Sequence, residues 1–485
     1  MERDRFIDTI RVAAVLVVVF GHWMATSVKW DDGGIVGDSA LAAIKESHPA
    51  TWLLQVMPLL FYVGGFANGR SFAQHTTYLG YLRTRLQRLL RPTLVFVAVW
   101  MSVAVVGNIL PLSLPNLLDR GADIAALPFW FVGLYVVVVA IAPAMLRLHR
   151  RWRWRVPLVL ACGTVVVDVL VHVLGLSGFG VFNYFFVWLL PHQVGFFHDE
   201  RPPVPPARLW AIGIGGLTGL ITLTTIGGYP VSMVFVPGAD RGNTEPPSLA
   251  IVALCAFLIA GALLARPWLD ERGGNWVARL NRVPLSLYLW HVSAIPIAVA
   301  ILYPLGFPQH PIGSTEWWLW RPVWLLTLAC VLTAIVAAVA RFEIHPDAVT
   351  PQLAPDRRRG PLAGIGVTLV AISLLGFGVT GFNRPLADTG EGLLGFTLNP
   401  ALNILHLIIG LVVLFAVQAV GSGALTSMAG AGATLLVIGL AGMQGGFNQL
   451  GSNIPTATLD VAIGAVLMLA SVPLPAKEPS LHQRP

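Results

Sequence analysis

The first residues with evident chemical potential lie in the apolar segment IDTIRVAAVLVVVFGHW, where Arg11 and His22 are 11 residues apart. In a helix that spacing is about 1100° of rotation, roughly 20° past three full turns, with a rise of about 16 Å. Both side chains therefore share one face. An imidazole set deep in such a helix is suited to moving a proton, and an arginine lower on the same face to holding an anion. Ionisable groups at membrane depth are costly and mark function or a paired structural role. The structural alternative is an Arg11 that snorkels inward, to the cytoplasmic interface, and a His22 hydrogen-bonded to a neighbouring helix. Asp8, three residues before Arg11, either pairs with it or caps the helix.

Other candidates are scattered along the chain. In YLRTRLQRLLRP, Arg85, Arg88 and Arg91 recur every three residues and form a basic helical face, suited to phosphate but equally to anionic lipid. Asp168 and His172 stand at i, i+4 and read either as an ion pair or as support for His22. His291, beside Trp290, either binds a substrate arm, orients another residue or is a hydrogen-bonded core histidine. His192 and Gln193 follow Pro191 and are expected to line a helix break. His198-Asp199-Glu200 reads as an interfacial cap. Trp317, Trp318 and Trp320 fit an aromatic belt, with sugar stacking as the alternative. Asn399, Asn403 and His406 fall on one helical face and are expected to hydrogen-bond between helices. Cys162, Cys255 and Cys330 lie singly in apolar runs, with no metal or disulfide spacing. No metal site is expected, and no Walker loop, dinucleotide fingerprint, HExxH or serine elbow is present in a suitable context.

The elements that must carry these residues are membrane helices. The 485 residues are 55% hydrophobic and 11% charged, against about a quarter charged in soluble domains. Such a chain cannot cover a water-facing surface, so lipid is its solvent. The reading is an all-α integral membrane protein of about fourteen spans. They begin near Ile7, Thr51, Leu90, Pro128, Val156, Val181, Leu209, Ser248, Pro284, Pro322, Leu362, Ala401, Leu425 and Thr458. The first is read as a retained span, because no small-residue cleavage site follows it. With the N-terminus cytoplasmic, 25 of the 31 Lys and Arg residues fall in inner loops. Nucleic-acid binding is therefore not expected despite the net charge of +7. The Pro-rich stretch 346–361 reads as a cytoplasmic linker between a ten-helix domain, 1–345, and a four-helix domain, 362–475.

Several segments, taken in order, resemble acyltransferase family 3 of membrane proteins. The Arg11-to-His22 spacing matches its first helix and MPLLFYVGGFANGRSF its second, with Gly64-Gly65 where many members have Ser-Gly. Arg85-Leu-Gln-Arg88 matches its Arg-x-x-Arg before the third helix. LPFWFVGLY is similar to its fourth helix, and VPLSLYLWHVSAIP to its ninth. The likeness covers about residues 1–345. LNPALNILHLIIGL, in the C-terminal block, resembles an uncharacterised family of four-helix membrane proteins with an NP-x-x-N-x-x-H signature.

The first resemblance implies an enzyme moving an acyl group, expected to be acetyl, from cytoplasmic acyl-CoA to a hydroxyl of a carbohydrate or lipid-linked glycan. His22 inherits the catalytic role, as general base or through an acyl-imidazole. Arg11, Arg85 and Arg88 would hold the donor, with acyl-CoA a co-substrate and no permanent cofactor. Asp8, Asp168, His172, Trp290 and His291 remain candidates for support or acceptor binding. A multi-pass place in a bacterial plasma membrane follows. The alternatives are a secondary transporter, for which no inverted repeat is evident, and a non-catalytic scaffold.

Overall fold

A computed structural model describes residues 4–31, 34–109, 117–200, 203–272, 274–343, 359–383, 392–419, 422–444 and 452–472. It is an all-α membrane protein. The main helices are α1 (Arg5–Ala25), α2 (Met57–Ala73), α3 (Tyr78–Ile109), α4 (Leu117–Ala125), α5 (Phe129–Trp152), α6 (Arg155–Asp168), α7 (Val181–Gly195) and α8 (Pro206–Thr225). Then come α9 (Leu249–Leu264), α10 (Pro284–Trp290), α11 (Ala294–Leu302), α12 (Thr315–Val339), α13 (Arg359–Thr380), α14 (Pro400–Gln418), α15 (Ser422–Met443) and α16 (Ile454–Ala470). A hairpin of β1 (Thr26–Asp31) and β2 (Gly34–Ser39) follows α1.

Each of the fourteen expected spans falls on a helix or a helix pair. Among the described residues, ten helices are long and apolar enough to cross a bilayer, and the bent pair α10–α11 makes an eleventh. The remaining three, α7, α9 and α16, have 15, 16 and 17 residues. They are at or below the usual minimum of about 17 for a full crossing. The break that Pro191 leads one to expect is not there, since α7 runs through it.

The chain divides into two compact units. The first is Met1–Pro128 with Val138–Thr350; the second is Phe129–Val137 with Pro351–Pro485. The nine residues from Phe129 to Val137 thus group with the C-terminal helices. The expected linker lies, up to residue 358, outside the described residues.

In the first unit α1 is central and packs on α2, α10 and α12. Asp4 caps it, accepting from the Ile7 amide at 3.1 Å. The same carboxylate accepts from His198 at 3.0 Å and lies 3.7 Å from Arg266. His198 stacks on Phe6 and meets the Tyr62 hydroxyl at 2.7 Å. His198 therefore ties α1, α2 and the end of α7 together at the Arg11 end. Neighbouring Asp199 takes a two-point bond from Arg70, and Glu200 bonds His149 at 2.9 Å and also Arg153. The triplet expected as one interfacial cap instead joins three different elements. Close to it α2 crosses α7 with almost no space between backbones. A Cβ on Gly65 would lie 1.9 Å from the His192 carbonyl oxygen, and one on Gly195 2.1 Å from that of Tyr62. Small residues let membrane helices approach this closely.

In the second unit Asn399 caps α14, accepting from the Ala401 and Leu402 amides. Asn403 donates to Thr380 at 3.1 Å, and His406 bonds Asp460 of α16 at 2.8 Å, both side chains buried. The polar stripe thus splits between a cap and two interhelical bonds.

Two outcomes are expected. Burial raises the Asp4 carboxyl, but His198, the Ile7 amide and Arg266 outweigh it and hold the pKa at about 2, below the ordinary 3.8. The ionised carboxylate therefore stabilises the fold above pH 3.8 and loses that effect as pH falls through about 2. The gap in thermal midpoint between wild type and Asp4→Asn is expected to be full at pH 5 and to close toward pH 2. In the second unit, Asp460→Ala leaves a buried His406 without its partner. A loss of about 1–3 kcal/mol is expected, read as early unfolding of α13–α16 in hydrogen exchange.

Candidate active site

The structure joins His22 to a residue 269 positions away. His22 Nδ1 lies 2.8 Å from His291 Nε2, with ring centroids 4.9 Å apart. His291 is fully buried and His22 half-buried. His291 sits in the 54° break between α10 and α11, where the helical ladder is interrupted. There its backbone carbonyl accepts the Trp23 indole N–H at 2.8 Å, and its own Nδ1 meets the Tyr288 carbonyl at 2.5 Å. The neighbouring Ser293 hydroxyl accepts from the Trp100 indole at 3.0 Å.

Hydrogen-bond roles follow from the carbonyl at the end of this chain. A carbonyl oxygen only accepts, so His291 Nδ1 carries the proton. A neutral His291 then presents a lone pair at Nε2, and His22 Nδ1 must donate to it. The lone pair of His22 is thereby placed on Nε2. His291 acts as the orienting partner that fixes the tautomer of a prospective base. That partner is an uncharged imidazole, not a carboxylate.

Two local features hold α10 in place. The Tyr288 hydroxyl donates to the Pro128 carbonyl at 3.2 Å. Glu343, just past α12, accepts from the Leu285 amide at 2.9 Å and the Ser286 amide at 2.7 Å. It thus caps the N-terminus of the helix that delivers His291. Burial raises the Glu343 carboxyl above its ordinary range, and these hydrogen bonds only partly oppose the shift. Sequence reasoning did not single out Glu343, because it lies 57 and 58 residues from the amides it serves.

The basic candidates lie at the opposite end of the unit. Arg11 donates to Asn281 at 3.0 Å, Asn281 donates to Asp8 at 2.6 Å, and Arg11 is 3.6 Å from Asp8. Asp8 therefore orients Arg11, and the capping role open to it is filled by Asp4. Arg85 is half-buried and Arg88 exposed, both in the first part of α3. Farther along α3, Phe96 meets Trp290 edge-on at 4.7 Å, and Trp100 bonds Ser293. Helical rise puts Arg88 about 12 Å and Arg85 about 16 Å from Phe96. The arginines of α3 thus lie some two to three turns below the level of the histidine pair, much as Arg11 does on α1.

Asp168 and His172 are not brought to this pair, nor to each other. Asp168 accepts from Asn183 at 2.7 Å, Tyr229 at 2.7 Å and the Leu249 amide at 2.8 Å. None of these is on α1 or α10. His172 lies in a π-helical turn, 3.5 Å from Arg241 and edge-on to Tyr229. The π turn shifts the register that would stack i on i+4. His192 bonds Asn68 at 3.1 Å and Gln193 bonds His149 at 3.0 Å, so both join helices within an unbroken α7.

A bundle of apolar helices around a paired, tautomer-fixed histidine is an arrangement chemically capable of proton transfer. A family profile described as an acyltransferase domain matches residues 4–342. The chain belongs to acyltransferase family 3, and the match spans α1 through α12 and every residue of the site except Glu343. No curated protein and no solved structure matches it.

Removing the cap on α10 is expected to loosen the site without touching it. Glu343→Ala is expected to cost about 1–2 kcal/mol of stability. Acyl-transfer turnover should fall with little change in KM, and Glu343→Gln, which keeps one acceptor, should recover part of both.

Proposed function

We propose that the protein moves an acyl group, acetyl in the first instance, from cytoplasmic acyl-CoA to a hydroxyl of a carbohydrate or lipid-linked glycan on the outer side of a bacterial plasma membrane. The orientation rests on the concentration of basic residues in the loops at the Arg11 end. The observation that carries the reading is the hydrogen bond from His22 to His291.

His22 Nε2 accepts the proton of the acceptor hydroxyl as its oxygen attacks the thioester carbonyl. The tetrahedral intermediate collapses with cleavage of the carbon–sulfur bond. The departing thiolate takes the proton back from His22, so ester and free thiol leave a neutral imidazole behind. His291 holds the ring throughout and accepts from Nδ1 of the imidazolium. Arg11, Arg85 and Arg88 supply cations where the nucleotide phosphates would enter. The pantetheine arm then spans the roughly three turns up to His22.

The test uses purified protein in detergent, radiolabelled acetyl-CoA and cell-envelope glycan. Wild type is expected to label the glycan and His22→Ala to label none above background. His291→Ala is expected to lower kcat by about 10²-fold or more, because the base loses its orientation. Arg88→Ala is expected to raise KM for acetyl-CoA. Equal labelling by wild type and His22→Ala would rule out the base.

A further inference from the structure

Beyond the end of α1, on the side away from Arg11, β1 and the segment between α11 and α12 flank a cleft that is partly open to solvent and encloses about 30 Å³. The enclosed part has room for about two waters, or for one small anionic group, and the rest of the cleft is an open face. Its wall includes Phe307 and Trp320, whose rings meet at 5.6 Å and 77°, forming a corner of two aromatic faces. Trp320 is 41% exposed, so much of its surface is uncovered. Gln309 is locked to the backbone of Trp30 by two hydrogen bonds, which fixes the rim.

The floor carries a cation. Arg321 lines the cleft and is only 6% exposed. Its Nη2 donates to the carbonyls of Met24 at 3.1 Å and Thr26 at 2.7 Å, and the guanidinium lies 4.0 Å over Trp317. Its Nε is buried and has no hydrogen-bond partner. Among the described residues no carboxylate lies within ion-pair distance of it. The cleft also holds Lys29 and His310 but no acidic side chain, and Lys29 is already matched by Asp38 at 3.1 Å. A buried arginine without a counter-ion is costly, and a site that keeps one is suited to an arriving anion. Holding the end of α1 uses one of its three nitrogens.

Position supplies the remaining argument. Met24 is two residues past His22, about 3 Å along the helix axis. The cleft floor therefore lies at nearly the depth of His22, about 200° around α1 from it. We propose that this cleft is the acceptor subsite, and that it takes a saccharide bearing a carboxylate or phosphate. The apolar face of the sugar ring stacks on Trp320, and its anionic substituent meets Arg321. This rests on the acyl-transfer reading for its purpose, but not for its test.

The test measures binding to the full-length protein in lipid nanodiscs, without acyl donor. The probes are digalacturonic acid, glucose 1-phosphate and neutral cellobiose. At least one acidic probe is expected to bind about tenfold more tightly than cellobiose, and Trp320→Ala to weaken it by about tenfold. Trp318→Ala, an exposed neighbour outside the cleft, should leave affinity unchanged, whereas a simple aromatic belt predicts equal effects for both. Arg321→Gln should bring the acidic probe to the neutral level, and Arg321→Lys should recover most of the difference. Equal affinity for cellobiose, equal effects of the two tryptophan variants, or no binding of any probe would overturn the proposal. Acidic-probe binding that depends on Trp320, in a protein that transfers no label, would sink the transferase reading and leave the cleft standing. Transfer undiminished in Trp320→Ala, with no probe bound, would do the reverse.

Discussion

The hydrogen bond between His22 and His291 makes the strictest demand on the first unit. It requires two side chains 269 residues apart in sequence to meet at 2.8 Å, one on a straight helix and one in a helix break. A continuous helix would use the carbonyls of this turn in its own ladder. The break frees them, so that the Tyr288 carbonyl can set the His291 tautomer and the His291 carbonyl can take the Trp23 indole. Trp23 adjoins His22, so that single indole bond also locks the two helices in register. Trp100 holds Ser293 in the break itself, and Glu343 and the Pro128 carbonyl brace α10 from other directions.

That arrangement explains the uneven spread of polar residues. At the Arg11 end, charged groups are numerous and pair with one another: Asp8 with Arg11, Asp4 with His198 and Arg266, Asp199 with Arg70. Around the histidines the partners are indoles, carbonyls and a hydroxyl. Neutral partners leave the His22 imidazole uncommitted, whereas a carboxylate beside it would hold it as an imidazolium.

Much of this was legible from residue order alone. Long apolar runs locate helices because the bilayer sets their length, and the Arg11-to-His22 spacing follows from helical rise. The Asn399, Asn403 and His406 stripe was readable for the same reason. What failed to appear were partners joined only through folding. Asp460 lies 54 residues from His406, and Tyr229 lies 61 from Asp168. Nothing in a local window couples them. The Asp168–His172 spacing misled because a π turn intervenes, and Pro191 misled because the surrounding helix absorbs it. Asp4 and Asp8 are one turn apart, and only the backbone at Ile7 distinguishes cap from ion pair.

The carbonyl that terminates the histidine chain has a further consequence. The path from His22 through His291 ends at Tyr288, at an oxygen with no proton to give and no basicity to keep one. It is a wire with one open terminal. A proton that enters at His22 Nε2 has no exit along this path and must leave where it arrived. In a membrane that sustains an ion gradient, such a dead end would let an imidazole in the role proposed for His22 cycle without short-circuiting the gradient.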